Sequence, residues 1–203
     1  MTLTLRRTLR ATTAAIALAV ALAACSGTED PAGGDAEAGT TAAGSEHNDA
    51  DTGFAQMMII HHEGAVEMAG LAAEKSSTPE IKDLAERIAG AQQPEIDLMT
   101  GWLTSWGEDL EGMDHSGMDM GGMDMDGMDQ AEAMAMLGGL SGAEFDEHFL
   151  HLMTAHHQGA IEMSQAEIED GVNEEATTLA QTIIDAQTQE INEMAELAGS
   201  PVG

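Results

Sequence analysis

The sequence has 203 residues, enough for one domain with tails. It contains 37 Asp and Glu but only six Lys and Arg, which gives a net charge of −31. Such a surface repels nucleic acid and anionic lipid headgroups and attracts cations, so nucleic acid is excluded as a partner. Aromatic residues are scarce, whereas methionine occurs 16 times. A core of Ala, Leu, Ile and Met favours helices, and a single cysteine excludes an intramolecular disulfide.

The first 24 residues have the pattern of a secretory signal peptide. Three arginines between positions 6 and 10 precede the apolar stretch Ala11–Ala24, which is too short to span a bilayer comfortably. The stretch ends in Leu22-Ala23-Ala24-Cys25, which resembles the bacterial lipobox, where the cysteine is lipidated and becomes the first mature residue. We therefore predict an extracytoplasmic lipoprotein anchored to the bacterial cell membrane through Cys25. The alternative is a soluble secreted protein in which Cys25 has no role.

Residues 25–49 are rich in Gly, Ala, Thr, Ser, Asp and Glu and show no apolar periodicity. This composition predicts a disordered tether between the membrane and the folded part of the chain. His47, near its end, is a lone histidine from which we expect no metal-binding role.

The remainder of the chain contains an internal repeat at an offset of 95 residues. Residues 51–99 align with residues 146–194 without a gap, and 19 of the 49 positions are identical. Each copy contains two segments with helical spacing, which indicates a duplicated helical hairpin. Helices are predicted at 51–75, 79–106, 142–169 and 174–198, the second beginning at Pro79 and the third with a capping box of Ser141 and Glu144.

The predicted architecture is all-α, a four-helix bundle built from two repeated hairpins. The first hairpin occupies residues 50–106 and the second residues 141–199. The connection between them, residues 107–140, is long for a compact domain, so we expect it to be functional or disordered.

Polar residues interrupt the apolar stripes of all four predicted helices. The repeat-related pairs are His61 and His156, His62 and His157, Gln92 and Gln187, and Glu95 and Glu190. At about 100° per residue, the first pair lies in the middle of the stripes of the first and third helices and the second pair on their flank. A buried carboxylate needs a partner, and the histidines on the neighbouring stripes are the candidates.

Two interpretations of this polar layer remain open. It is either a hydrogen-bond network that fixes the helix register, or a metal site with the nearby methionines as further ligands. Those methionines are Met68, Met99, Met163 and Met194, which are equally well explained as core residues. Histidine and methionine together suit copper. A di-iron oxidase is not expected, because no histidine has a glutamate three residues before it.

The connecting segment is rich in Met, Asp and Gly. Between Gly112 and Asp129 it contains six methionines, which are Met113, Met118, Met120, Met123, Met125 and Met128. They have no other apolar residues to pack against, and the glycine content opposes a helix. Thioethers favour Cu(I), while His115 and the aspartates could also hold Cu(II). We predict a copper site made of these methionines with His148 and His151, which follow the loop one turn apart; a plain flexible linker is the alternative.

The repeated Met-x-x-His-His-x-x-Ala-x-x-Met, followed by Ala-Gln-x-x-Glu-Ile-x-x-Met, is similar to the motifs of the domain-of-unknown-function 305 family. The resemblance covers about residues 47–198. It implies a secreted bacterial protein with a ferritin-like helical fold, and some members are linked to copper binding and copper tolerance. By this resemblance, the positions of the first motif are His61, His62, Met68, His156, His157 and Met163. Those of the companion motif are Glu95, Met99, Glu190 and Met194.

We therefore predict a copper-binding lipoprotein, with Cu(I) favoured, that sequesters copper or passes it to a copper-handling protein. The competing hypotheses are a metal-independent structural or interaction module and a metal-dependent oxidase. We expect no catalytic residues, because the sequence shows no Ser/His/Asp or Cys/His arrangement.

Overall fold

The computed structural model describes residues 46–109, 125 and 127–199. This part contains no strand and five helices: α1 (Asp49–Lys75), α2 (Pro79–Trp106), α3 (Gln130–Gly139), α4 (Gly142–Asp170) and α5 (Glu174–Gly199). The all-α class and the helical-bundle fold are confirmed, and the four long helices lie close to their predicted bounds. None of the described helices is long and apolar enough to cross a membrane. The predicted signal peptide, Cys25 and most of the predicted tether lie outside the described residues.

Local capping interactions determine where the helices begin. The Asn48 side chain accepts hydrogen bonds from the backbone of Ala50 and Asp51, and Asp51 accepts one from the Asn48 backbone N–H in return. α2 begins at Pro79 as predicted, because proline lacks the N–H that the first turn would leave unsatisfied. The predicted capping box at Ser141 is wrong, since this residue precedes α4 but makes no side-chain cap hydrogen bond.

Helix α3 lies within the segment predicted to be a loop. Asp129 accepts from the backbone N–H of Glu132 at 2.8 Å, and the Glu132 carboxylate accepts from the backbone N–H of Asp129 at 3.3 Å. This reciprocal cap starts a helix that packs on α1 and α4. Met125 is 1% exposed and Met128 is partly buried against the same core. The expectation that the loop methionines have no apolar partners is therefore wrong for these two residues.

The two hairpins, α1–α2 and α4–α5, meet mainly through α1 and α4. The C-terminal half of α1 packs with the N-terminal half of α4, so these two helices run antiparallel. The core consists of two clusters. The α3-side cluster includes Met68, Leu84, Leu137, Phe145 and Phe149. The opposite cluster includes Phe54, Met58, Leu103, Ala160 and Ile183. The antiparallel packing of the two repeats gives the bundle an approximate twofold relation between residue i and residue i+95.

Two buried aspartates related by this repeat hold the hairpins together. Asp51 accepts from the backbone N–H groups of Asn173 at 2.9 Å and Val172 at 3.1 Å, in the turn between α4 and α5. Its repeat partner Asp146 accepts hydrogen bonds from two hydroxyls, those of Ser77 and Thr78, each at 2.8 Å in the turn between α1 and α2. Each hairpin therefore holds the turn of the other.

The ionisation of the two aspartates follows from these contacts. Burial alone would raise the pKa of Asp51 and of Asp146, but the hydrogen bonds outweigh it and lower both values below the ordinary one. Both carboxylates are therefore charged at neutral pH and hold their turns as ionised acceptors. The sequence analysis did not single them out, although they are identical at the repeat offset.

Glu167 on α4 is a buried acid next to Asp51. It is 2% exposed, and burial, together with the hydrogen bond and charge of Asp51 and the charge of Asp170, raises its pKa to about 8. Glu167 is consequently mostly protonated at neutral pH, and its hydroxyl can donate to Asp51. The repeat-related residue of the first hairpin is Ala72, so this acid pair exists at one end of the bundle only.

Substitution Asp146→Ala is expected to reduce the free energy of unfolding by about 2–3 kcal/mol, because two hydroxyl donors lose a charged acceptor. The measurement is urea unfolding followed by circular dichroism, with Asp83→Ala on the exposed face of α2 as the control. A cost no larger than that of the control would show that the aspartate does not hold the turn.

Glu167→Gln is expected to remove a pH dependence of stability. The folded-state pKa of about 8 lies above the ordinary pKa of 4.5, so the neutral acid stabilises the fold fully below about pH 4.5. This contribution is lost as the pH rises towards 8. Relative to the Gln variant, the wild-type protein should lose on the order of a few kcal/mol between pH 4.5 and pH 8.5. Unfolding curves of both proteins across this range test it, and a constant difference would contradict the assignment.

Candidate metal centre

Four histidines form one buried layer where α1 crosses α4. His61 and His156 are 1% and 3% exposed, and their ring centroids lie 3.6 Å apart at an interplanar angle of 40°. The rings of His62 and His157 lie 6.5 Å from those of their chain neighbours and are fully buried. The predicted central position of the first pair is confirmed. The second pair is also inside, because α2 and α5 cover the flank of the stripe.

Each flanking histidine is hydrogen-bonded to a glutamate of its own hairpin. His62 Nε2 donates to Glu95 Oε2 at 2.7 Å, and His157 Nε2 donates to Glu190 Oε2 at 2.8 Å. The predicted pairing of histidine with glutamate is confirmed. The glutamate side chains are 20% and 15% exposed, so they lie at the edge of the layer rather than deep in the core as the stripe suggested.

The hydrogen bonds fix the tautomer of the two flanking histidines. A carboxylate only accepts, so Nε2 carries a proton, and in the neutral ring Nδ1 then keeps its lone pair. Nδ1 of His62 and Nδ1 of His157 are buried, and neither has a hydrogen-bond partner among the residues described. Histidines that bind metal usually donate their other ring N–H to a carboxylate or carbonyl. His62 and His157 therefore resemble metal ligands that bind through Nδ1. In each, the other ring nitrogen, Nε2, donates its hydrogen to a carboxylate.

His156 is also in the form that can bind a metal. Burial and the neighbouring imidazoles of His61, His157 and His62 lower its pKa well below the ordinary value, while a hydrogen bond with the His61 backbone acts against this. The ring is neutral at physiological pH, and its buried Nδ1 has no hydrogen-bond partner within the described part of the chain. Neutral imidazole is the form that binds metal ions.

Two glutamine side chains extend the polar layer. Gln92 and Gln187 are each 3% exposed, as the sequence predicted. Within the described ranges, both polar atoms of the Gln92 amide and Oε1 of Gln187 are buried without a hydrogen-bond partner. Buried polar groups are normally satisfied. The layer therefore offers more polar atoms than its protein contacts use, as expected where water or an ion is bound.

The four motif methionines lie on both sides of the histidine layer. Met68 and Met194 belong to the α3-side cluster, while Met99 and Met163 belong to or pack against the opposite cluster. Met68, Met99 and Met194 are at most 1% exposed, and Thr154 Oγ1 donates to Met194 Sδ at 3.7 Å. Core packing accounts for these three residues, whereas Met163 is only partly buried and lines a cleft.

The structure does not assemble every predicted ligand into one site. In the described ranges, no group of three or more His, Cys, Asp or Glu side chains is arranged to hold a metal ion. His148 is half-buried and His151 is exposed on α4. Their predicted partners Met113, His115, Met118, Met120 and Met123 lie outside the described residues. The second predicted copper site therefore stays a prediction.

The structure gives His47 a packing contact that the sequence did not indicate. Its ring stacks on Trp106 with centroids 4.6 Å apart and an interplanar angle of 6°, and its Nε2 lies 3.6 Å from Glu108 Oε1. The end of the predicted tether is therefore packed against the C-terminal end of α2. No periodicity marks a contact between two such distant residues, so the sequence carried no signal for it.

The fold and the site define a class of protein: an all-α bundle of two duplicated hairpins around a buried histidine–glutamate layer. A family model described as "Domain of unknown function (DUF305)" matches residues 51–198, and the chain belongs to this family. No curated protein matches the chain at a significant level.

Solved structures extend this relationship. The chain is similar to a secreted DUF305 protein from Streptomyces coelicolor, with a TM-score of 0.66 and 34% identity over 76% of this chain and 96% of that one. A DUF305 fragment from Deinococcus radiodurans gives a TM-score of 0.65 and 29% identity over 75% and 97% of the two chains. CopM in its Cu(I)-bound form gives a TM-score of 0.59 and 30% identity over 72% and 94%. CopM structures with Cu(II) and with silver are similar as well.

Glu190→Ala is expected to reduce the free energy of unfolding by about 1–3 kcal/mol, because it leaves the buried His157 Nε2–H without an acceptor. Glu190→Gln keeps an acceptor and should recover most of this loss. Glu193→Ala on the same helix is the control, since the Arg87–Glu193 ion pair is exposed and should contribute less than about 1 kcal/mol. Equal losses for Glu190→Ala and Glu193→Ala in urea unfolding would contradict the importance of the buried pair.

Proposed function

We propose that this protein is an extracytoplasmic copper-binding lipoprotein that sequesters copper, supports copper tolerance or delivers copper to another protein. The observation that carries the proposal is the pair of histidines, His62 and His157. Each donates Nε2–H to a glutamate and presents a buried, otherwise unpartnered Nδ1 lone pair, counting the described residues. Two such groups, related by the repeat, beside the contacting rings of His61 and His156 supply the nitrogen donors of a metal site.

Copper is the metal that best fits the donors. Imidazole nitrogen binds copper in either oxidation state, and thioethers select Cu(I). The related CopM structures contain Cu(I), Cu(II) or silver, which supports a metal-handling role in a protein about 30% identical to this one. We propose Cu(I) as the preferred ion, with Cu(II) as the second, and the polar layer and the methionine-rich segment as the binding regions.

The proposed location follows from charge, leader sequence and relatives. A net charge of −31 attracts cations to the protein surface. A family relative of similar structure is a secreted protein, and the chain begins with a signal-peptide pattern ending at Cys25. We propose attachment to the membrane through lipid on Cys25 only, with a copper ion and a copper-handling protein as partners. We propose binding rather than catalysis, and a metal-dependent oxidase is the less favoured alternative.

Two observations favour a metal-independent structural role instead. The described residues contain no ready group of three His, Cys, Asp or Glu side chains, and three of the four motif methionines are packed as core residues. In that case the histidine–glutamate layer would only fix the register of the bundle, and metal affinity would be absent.

Competition for Cu(I) against a chromophoric chelator distinguishes these functions. The double variant His62→Gln and His157→Gln should bind Cu(I) about tenfold or more weakly, because it removes both proposed Nδ1 ligands. A second variant replaces Met113, Met118, Met120 and Met123 by Leu and His115 by Ala, and it measures the contribution of the methionine-rich segment. The control is Met58→Leu with Met153→Leu, a repeat-related buried pair outside both proposed sites.

Circular dichroism confirms that each variant is folded before its affinity is compared. Loss in the histidine variant with an unchanged control supports the copper layer. If the wild-type protein fails to compete for either Cu(I) or Cu(II), the copper proposal is wrong and the structural role is the better account.

A further inference from the structure

The repeat creates two equivalent grooves between α1 and α4, one at each end of the histidine layer, and the described residues fill only one. At the first end, Met125, Ala133 and Leu137 pack over the groove against Met68 and Phe145. At the other end, the described residues leave a cleft of about 210 Å³, room for several water molecules or an ion with its ligands.

The chemistry of the cleft is unlike that of an ordinary apolar groove. Its walls include Phe54, the thioethers of Met57 and Met163, and the side chain of Glu167, with Asp49 and Asp170 also contributing to the lining. Glu167 is 2% exposed, and neither of its oxygens receives a hydrogen bond from a described donor. The protonated carboxyl can donate one hydrogen bond to its neighbour Asp51, which already accepts from backbone N–H groups.

Comparison with the covered end shows that the fold does not require these residues. The positions related to Gly53, Met57 and Glu167 by the repeat are His148, Leu152 and Ala72. Leu152 and Ala72 are fully buried core residues. A thioether in place of leucine and a buried carboxyl in place of alanine are therefore not needed for packing, and the carboxyl is unfavourable in the absence of a donor or cation.

We propose that this cleft is a second binding site, for one soft monovalent cation, Cu(I) or Ag(I), held by the thioethers of Met57 and Met163 and the carboxylate of Glu167. Thioethers are the neutral soft ligands that such ions prefer. Glu167 is protonated in the free protein and releases its proton when the cation binds, and the resulting carboxylate compensates the charge of the cation in the partly apolar cleft. The acidic residues of the lining raise the local cation concentration. The choice of ion rests on the proposed function, but none of the four histidines of the layer lines the cleft.

The test is Ag(I) titration of the whole protein labelled with ¹³C at the methionine methyl groups. Single Met57→Leu and Met163→Leu variants assign the two resonances. Both resonances should shift together on addition of Ag(I), and they should still do so in the His62→Gln and His157→Gln double variant. In the triple variant Met57→Leu, Met163→Leu and Glu167→Ala, the Ag(I) stoichiometry measured by calorimetry should fall by one equivalent.

Two of the three substitutions introduce the residue found at the repeat-related position, namely Leu152 for Met57→Leu and Ala72 for Glu167→Ala, whereas the position related to Met163 is Met68. Circular dichroism checks the fold of the triple variant. The control is again Met58→Leu with Met153→Leu, which should keep the full stoichiometry. The proposal is overturned if the Met57 and Met163 resonances stay in place at saturating Ag(I), or if the triple variant binds as many ions as the wild type.

These outcomes are separable from those of the proposed function. Loss of copper binding in the histidine variant, with the cleft resonances unmoved by Ag(I), would refute the second site and leave the copper layer standing. Shifted cleft resonances with no effect of the histidine substitutions would support the second site and refute the copper layer.

Discussion

The contact between His61 and His156 is the constraint on which the rest of the arrangement depends. Two copies of one helix run antiparallel, so identical residues meet where they cross, and here the residues that meet are imidazoles 3.6 Å apart. Two protonated rings could not share such a buried place, and the lowered pKa of His156 shows the consequence. His156 is therefore neutral at the centre of the layer, and the two glutamate side chains lie at its edge. A neutral set of lone pairs in a buried place is suited to receiving a cation.

The polar contacts of the bundle fall into two groups, those within one hairpin and those between the two hairpins. Both histidine–glutamate bonds join residues 33 positions apart in one hairpin, so each hairpin carries its own oriented imidazole. The His61–His156 contact and the bonds of Asp51 and Asp146 join different hairpins. The aspartates hold turns at opposite ends of the bundle, and together they fix the crossing point. The register that brings the histidines together is thus set by hydrogen bonds distant from them.

The parts of the fold that depend on local sequence could be predicted. The four long helices were predicted from helical periodicity, from Pro79 and from the constant offset of the repeat. The apolar stripes of neighbouring helices must face each other, and this placed Glu95 near His62. Helix α3 was missed because glycine and methionine obscured its periodicity, although Asp129 and Glu132 form a recognisable capping pattern. The burial of Met125 and the pairing of Glu167 with Asp51 depend on tertiary packing. No local pattern reports such contacts, and for the same reason a stripe could not distinguish the methionines that pack from those that line a cleft.

Duplication alone would make the two ends of the α1–α4 groove equivalent. The differences between these two ends therefore bear on function. Because the four histidines are buried, an ion that reaches them must enter from one end of the α1–α4 groove or through a gap between helices. Helix α3 and Met125 close one end with apolar side chains. The other end keeps a cleft with two thioethers and three acidic side chains, in a helix pair whose histidines begin one turn beyond Met57. Under the proposed function, that cleft is the approach to the layer with the chemistry to accept copper, and the closed end protects the layer from water. Within the described ranges, the asymmetry that α3 introduces then leaves the proposed site open at one end of the groove and closed at the other.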